Sequence, residues 1–434
     1  MSSLPKKFWG NDLFRFLYTL ILTLILPLLF VRLAWRSLLI PAYRERWLER
    51  LGVFNNSAES NGIWIHAVSV GEVIAITPFI RLILKNNKNL PIVITTTTPT
   101  GSDQVRRSFG KEIFNVYIPY DIPWAISRFL NKLKPKFFLM VETEIWPNLL
   151  LECKKREIKT ILANARLSEK SLNKYMIFGN FIKNTFSKID YVAAQSIEDF
   201  DRFLKIGVNE RNISVTGSIK FDIDIPASIE EQAEAMRRSW MGRPVWIAAS
   251  THDGEEEIIL NAHKILLKKY SNALLVLVPR HPDRFDKVAF LIKRYKFDFV
   301  RRSTGKPIDT AKVYLADTMG ELNILLGASD VAFIGGSLSM NGGHNMLEAA
   351  AQGIPTCFGP NTYNFSLISD ILLNCGAAKK VENIETLSQL LSLWLGDASI
   401  RSLAGESGRK VVDQNKGALK KLYKQVERLI NFSN

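Results

Sequence analysis

Apolar and polar positions divide this chain into distinct zones. Residues 16–31 (FLYTLILTLILPLLFV) form one uncharged apolar run. From residue 61 the pattern changes to short apolar runs, at 63–68, 91–97, 137–142, 160–163 and 191–194. Stretches with helical periodicity lie between them, including 72–85, 124–133 and 148–155. Short apolar strands alternating with amphipathic helices predict a parallel sheet buried on both faces. Across 221–243 the apolar signal fades into a polar, helical connector. The pattern then restarts with strands at 245–250, 273–279, 313–316, 331–335 and 355–358 and a helix at 255–269. Residues 386–430 read as helices. The expected organisation is an anchor and basic segment over 1–50, α/β domains over 51–225 and 226–385, and C-terminal helices over 386–434. The fold class is α/β, with two doubly wound domains facing each other. Ligands of such sheets bind beyond the carboxyl ends of the strands, so those segments are the places to look for chemistry.

The apolar run rises about 24 Å as a helix, slightly short of a bilayer core. Arg15, Arg32 and Arg36 flank it, Pro27 would kink it, and long basic side chains can snorkel. Lys6, Lys7 and Arg15 precede the run, and Arg32, Arg36, Arg44, Arg46 and Arg50 follow it. The larger basic cluster is C-terminal, which places the main body in the cytoplasm. No small-residue cleavage site follows, so a removable signal peptide is not expected. Membrane association, spanning or interfacial, stands against a buried helix of the first domain.

Composition narrows the picture. The 434 residues are 47% hydrophobic and 23% charged, which excludes a disordered or fibrous chain. The net charge of +15 implies anionic partners. Residues 1–50 hold eight basic and three acidic residues, so +5 of it lies where it can face anionic lipid. Cys153, Cys357 and Cys375 form no CxxC pair, and the five histidines form no HExxH, so the sequence points to reduced thiols and no metal site.

Five segments carry candidate chemistry. In His66–Glu72 (HAVSVGE), Glu72 sits at a strand-to-helix turn. It reads as a general base or as the fourth position of a Ser69 capping box. Ser69 also gives a degenerate nucleophile elbow that lacks its first glycine. In VETEIWPN, Glu142 and Glu144 point the same way from an extended segment, as an acid pair or as complements to a helix dipole. Lys220 in TGSIKFD is a candidate contact for an anion, or a solvated lysine. Arg280 and His281, between Pro279 and Pro282, could present a phosphate-binding guanidinium or be an ordinary turn. Gly335–Leu338 and Gly342–Glu348 could cradle a phosphate at a helix N-terminus, with Glu348 reaching ribose hydroxyls, or be a glycine-rich turn before a capped helix. Asp317–Leu322 makes a similar turn. Neither the dinucleotide nor the P-loop motif is present.

Together, HAVSVGE (66–72), TTTTPTGSDQV (95–105), YIPYDIP (117–123), VETEIWPN (141–148), ANARLS (163–168), TGSIKFD (216–222), STHDGEEE (250–257), PRHPDRF (279–285), DTMGEL (317–322) and GGHNMLEAA (342–350) resemble the 3-deoxy-D-manno-octulosonic acid (Kdo) transferase family, in family order over nearly the whole chain. The resemblance implies the GT-B fold, two Rossmann-like domains facing a central cleft, with an N-terminal membrane-anchoring helix. It implies transfer of Kdo from CMP-Kdo to the lipid A precursor lipid IVA, at the cytoplasmic face of a bacterial inner membrane whose anionic lipid is a further partner. The reaction would be inverting and would need no metal ion and no cofactor. Glu72 matches the catalytic base, and Glu142 and Lys220 match positions that stabilise the transition state. Pro279, Arg280, Met319, Gly320, Glu321, Asn345, Met346, Leu347 and Glu348 match the CMP-binding segments. Met346 stands where relatives commonly carry Pro, which would pre-set the first helical turn. The alternatives are a serine hydrolase using Ser69 and a membrane-tethered basic nucleic-acid-binding protein. No standard nucleic-acid motif favours the latter.

Overall fold

The computed structural model describes residues 7–54, 61–87 and 89–430, with the side chains of 7–11 and 430 left out of account. Lys6 and the ends of the expected N- and C-terminal segments lie outside the described residues. Among the described residues the strands form two parallel seven-stranded sheets. The chain divides into one unit of 1–219 plus 417–434 and a second of 220–416.

The first sheet contains β1 Ile63–His66, β2 Ile92–Thr96, β3 Phe114–Tyr117, β4 Phe137–Val141, β5 Lys159–Ala165, β6 Tyr191–Ala194 and β7 Ile213–Val215. Their order is β3-β2-β1-β4-β5-β6-β7. The second contains β8 Val245–Thr251, β9 Leu274–Pro279, β10 Phe299–Arg301, β11 Val313–Leu315, β12 Val331–Ile334, β13 Thr356–Phe358 and β14 Ala378–Lys380. Their order is β10-β11-β9-β8-β12-β13-β14. The crossovers change direction between β1 and β4, and between β8 and β12. At those switch points the loops diverge to opposite faces and open a crevice at the carboxyl edge.

Both faces of each sheet are buried, which is why the central strands read as unbroken apolar runs. In β1, Ile63 and Ile65 enter one core while Trp64 enters the other. Trp64 stacks on Phe138 of β4 with ring centroids 3.8 Å apart. Four strands were not expected from the sequence: β3, β7, β10 and β14. Each is three or four residues long, and β3, β7, β10 and β14 occupy the ends of the two sheets. An edge strand is covered less and needs no continuous apolar run.

The first helix, Lys7–Leu39, continues through Pro27. Its segment Asp12–Leu39 is long and apolar enough to cross a membrane, with mean hydropathy 2.2, and is largely exposed. It is therefore not a core helix. The basic cluster after it is not all available to lipid. Arg46 ion-pairs with Glu49 at 2.8 Å and donates to the Asn115 carbonyl at 2.7 Å. Arg50 is buried, donates to the Thr97 carbonyl at 2.8 Å and lies over the Tyr117 ring.

The C-terminal helices separate. Ile384–Gly396 and Ala398–Asn415 belong to the second unit, whereas Ala418–Ile430 returns to the first. There Ala418, Leu422 and Val426, at helical spacing, join the core of Ile76, Phe79 and Ile83. Leu422→Ala is expected to destabilise the first unit by about 2–5 kcal/mol, the cost of an emptied buried leucine site. Denaturant unfolding checks this, and an unchanged midpoint would mean that the helix does not hold that core.

Candidate functional site

Two groups of residues gather at carboxyl edges, one in each unit. In the first unit Ser69 ends β1's loop and caps the helix Val70–Asn86, with Glu72 in its first turn. Ser69 Oγ donates to Glu72 Oε1 at 3.0 Å, and the Val68 N–H donates to Oε2 at 2.7 Å. The return bond, from the Glu72 N–H to Ser69 Oγ, is long at 3.5 Å. The carboxylate thus closes the turn one residue earlier than a standard capping box, on Val68 and not on the cap's own N–H.

Glu142 follows β4, the neighbour of β1 across the switch point. Its backbone is in the left-handed region, φ 60°, where a β-carbon costs about 1–2 kcal/mol. The Glu142 N–H is nonetheless tied to the Ala163 carbonyl at 2.9 Å, which holds the turn. Glu144 accepts from the Trp146 indole N–H at 3.2 Å. Burial pushes the Glu72 carboxyl up to about 7, and the charges of Glu142 and Glu144 push the same way. Burial also raises Glu144. Three carboxyl groups therefore bear on one another, and Glu72 is poised to exchange a proton near neutral pH.

Ser69 is not arranged as a hydrolase nucleophile. Its hydroxyl is committed to Glu72. His66 is fully buried, pairs through Nδ1 with Thr95 Oγ1 at 3.0 Å, and is kept neutral by burial with its pKa lowered to about 4. Lys220 lies in the 3-10 turn Ile219–Phe221, half-buried, where the second unit begins.

In the second unit the segments expected to contact a nucleotide follow strands β9, β11 and β12, with β8 between β9 and β12. Pro279 ends β9 and Arg280 follows it, Met319–Glu321 follow β11, and Asn345–Glu348 follow β12. Arg280 is held through its N–H to the Thr251 carbonyl at 3.0 Å, and its charge acts on both His344 and Glu348. Asn345 Nδ2 donates to Glu348 Oε1 at 3.1 Å, and Asn345 Oδ1 accepts the Leu347 N–H at 3.1 Å. Met346 and Leu347 are fully buried. Burial raises Glu348. Met319 is exposed, whereas Glu321 receives a two-pronged ion pair from Arg302, with a shortest contact of 2.7 Å.

Two expectations about this edge need correcting. The helix after the second glycine turn is only Leu347–Ala351, so it offers a weak dipole. The first glycine turn, Gly335–Leu338, is already filled. The buried Glu255 carboxylate accepts the N–H groups of Gly336 at 2.7 Å, Ser337 at 3.0 Å, Leu338 at 2.9 Å and His252 at 2.9 Å. Gly336 has φ 69°, and a β-carbon there would come within 3.0 Å of His344. The turn that looked like a phosphate cradle holds the protein's own anion.

The residues that shape this edge stand in the matching segments 250–257 and 342–350, but the motif match alone gives no sign of their role. Glu255 joins the loops after β8 and β12. Its neighbour Glu256 accepts from Thr251 Oγ1 at 2.8 Å and from Arg284 at 2.6 Å, which fixes the loop carrying Arg280. His252 and His344 share a hydrogen bond between their Nε2 atoms at 2.8 Å. Burial and then Arg280 push His344 down to about 3, so that pair is neutral. The acidic run at 255–257 was the available signal, but its first two members face inward. Among the described residues no group of three or more His, Cys, Asp or Glu is placed to hold a metal ion.

Residues 45–223 match a family model described as 3-deoxy-D-manno-octulosonic-acid transferase (kdotransferase). The chain is 41% identical over 415 residues to the 3-deoxy-D-manno-octulosonic acid transferase of Haemophilus influenzae, covering 94% of this chain and 97% of that protein. It is 33% identical over 381 residues to the enzyme of the same name from Bordetella pertussis, covering 84% and 86%. A solved glycosyltransferase from Rickettsia africae is similar in fold, with a TM-score of 0.52 at 16% identity over 87% of this chain and 100% of that one.

Glu72 gives a stability test that does not depend on activity. Its carboxyl is protonated in the folded chain and ionised in the unfolded chain between about 4.5 and about 7. The folded state then binds more protons, so stability falls as pH rises through that window. Glu72→Gln removes this loss. Relative to wild type, the variant is expected to gain stability from pH 4.5 to 7.5 in parallel denaturant titrations. A constant difference between the two proteins would mean that Glu72 titrates normally.

Proposed function

This chain belongs to the 3-deoxy-D-manno-octulosonic acid transferase family and has the GT-B fold, and we propose that it transfers Kdo from CMP-Kdo to lipid IVA with inversion and without a metal ion. The observation that carries the mechanism is the Glu72 carboxyl at the β1–β4 switch point, held near pKa 7 beside two further carboxyl groups. A base poised at the working pH is ionised often enough to accept a proton and basic enough to hold it. Glu72 takes the proton of an acceptor hydroxyl. The freed oxygen bonds to the Kdo anomeric carbon, and the bond from that carbon to the CMP phosphate oxygen breaks, its electron pair leaving with CMP. A single displacement of this kind inverts the anomeric centre.

Arg280 is assigned to the leaving phosphate, since the Glu256–Arg284 pair fixes its loop and the glycine turn is occupied by Glu255. Asn345–Glu348 and Met319–Glu321 complete the CMP side from the loops after β12 and β11. Glu142 and Lys220 are assigned to stabilising the developing charges. CMP carries one phosphate, which a guanidinium can balance, so the reaction needs no divalent ion. The exposed apolar surface of the first helix seats the protein on the anionic inner membrane, with the catalytic body on the cytoplasmic face.

Incubation with CMP-Kdo and lipid IVA, followed by mass spectrometry of the lipid, tests the whole reading. The expected product carries added Kdo and forms equally well in EDTA. Loss of product in EDTA with rescue by a divalent ion would overturn the metal-free step. Glu72→Gln is expected to lower turnover by about 10²–10⁴ while leaving CMP binding intact. Arg280→Ala is expected to weaken donor binding by about tenfold to a hundredfold, the worth of a charge-assisted hydrogen bond. Near-normal turnover by Glu72→Gln would move the base to Glu142 or Glu144.

A further inference from the structure

The segment Asp12–Leu39 rises about 42 Å as a helix, enough to cross a bilayer, so length does not decide how it meets lipid. Its contacts do. One face is fastened to the first unit. Tyr18 Oη donates to Asp121 Oδ2 at 2.9 Å, and Asn148 Nδ2 donates to Thr19 Oγ1 at 2.9 Å. Asp121 is buried and also accepts the N–H groups of Asn148 at 3.0 Å and Leu149 at 2.8 Å, at the start of the helix Pro147–Lys155. The carboxylate that caps that helix is thus the one that receives Tyr18. Further along, Phe30 packs edge-on against Tyr120 and beside Trp47, with centroids 6.1 Å and 6.0 Å away. Leu33 and Ser37 are buried on the same side.

The opposite face is apolar and, among the described residues, has no partner. Leu13, Leu20, Leu24, Leu28, Trp35 and Leu38 recur at helical spacing and are 41–73% exposed. Ile177 and Phe178 extend the exposed apolar surface from the turn before the helix Gly179–Phe186, whose Phe181 stacks on Phe14. Arg32 and Arg36 on the helix and Arg44 in the turn after it are exposed and complement anionic headgroups.

From these contacts we propose that the helix lies in the plane of the membrane interface, clamped between the first unit and an anionic lipid surface, with both of its ends on the cytoplasmic side. The proposal deepens the membrane reading above and rests on it. Tyr18 and Phe30 are twelve residues apart, about 18 Å along the axis. If the helix spanned while keeping both contacts, the loop carrying Tyr120 and Asp121 would have to enter hydrocarbon. Irregular backbone in lipid leaves N–H and C=O groups unsatisfied, at several kcal/mol each, and is not tolerated there. A helix fastened on one face and apolar on the other suits the boundary between headgroups and acyl chains.

The test uses the full chain with Cys375→Ser, because Cys153 and Cys357 are buried. Asp12→Cys and Leu39→Cys are introduced one at a time. A membrane-impermeant maleimide is applied to inside-out and right-side-out inner-membrane vesicles. The in-plane helix is expected to label at both positions from the cytoplasmic face and at neither from the outer face. Labelling of the two positions from opposite faces would falsify the proposal, and so would protection of both from both faces. Flotation with phosphatidylglycerol vesicles reports lipid binding separately. A chain that fails to float overturns the membrane reading itself, whereas one that floats but labels from opposite faces overturns only the orientation. Leu24→Asp combined with Leu28→Asp is expected to lower vesicle partition on the order of a hundredfold, from the loss of two leucines' contact with lipid. Unchanged partition would place the lipid contact elsewhere.

Discussion

Carboxylates withdrawn wholly or partly from water that accept backbone N–H groups are what the rest of this structure depends on. A parallel sheet ends in loops whose N–H groups no neighbouring strand can satisfy, and burying them unpaired is costly. Here acidic side chains meet them. Glu72 takes Val68, Asp121 takes Asn148 and Leu149, Asp199 takes Leu167, and Glu255 takes five N–H groups from two loops. Asp330 does the same at the start of β8, accepting the Val245 N–H while pairing with Arg237. A net charge of +15 hides this acidic skeleton, because its members are buried (Asp121, Asp199, Glu255) or half-buried (Glu72, Asp330) and much of the basic excess is outside.

The same device explains why structural and chemical readings of one residue need not compete. In the sequence, Glu72 could be a cap or a base. In the structure its carboxyl closes the turn after β1, and its desolvation there raises its pKa to about 7. The capping bonds from Val68 and Ser69 favour the ionised carboxylate, but partial burial and the charges of Glu142 and Glu144 outweigh them and supply the proton affinity that the proposed base needs. Glu142 carries a related tension: a carboxylate on a left-handed residue at the neighbouring strand end, held by its N–H to Ala163.

Much of the fold was legible because the central strands are buried on both faces and short loops punctuate them. The four missed strands lie where burial is one-sided, so their residues carry no continuous apolar signature; β14, for example, ends in two exposed lysines. The candidate residues around Glu72, Arg280 and Asn345 were legible from their places after strands and from family resemblance. Glu255 was not. Its partners His252 and Gly336 are 84 residues apart, and only the sheet order brings their loops together. For the same reason the glycine turn read as an open cradle. Docking of the first helix was equally hidden, since Tyr18 and Asp121 are separated by 103 residues.

The return of Ala418–Ile430 to the first unit makes residues 220–416 an insertion within it. During translation the ribosome therefore emits most of the first unit, then the whole second unit, and only afterwards the helix that completes the first core. The second unit is contiguous and can close while it emerges. The first must wait, with Ile76, Phe79 and Ile83 partly uncovered, for Leu422 and Val426 to arrive. Its apolar first helix leaves the ribosome hundreds of residues before that last piece. Maturation of this protein is thus not the N-to-C succession usual for two-domain chains. The half made first is the half finished last, and chaperone demand should concentrate there.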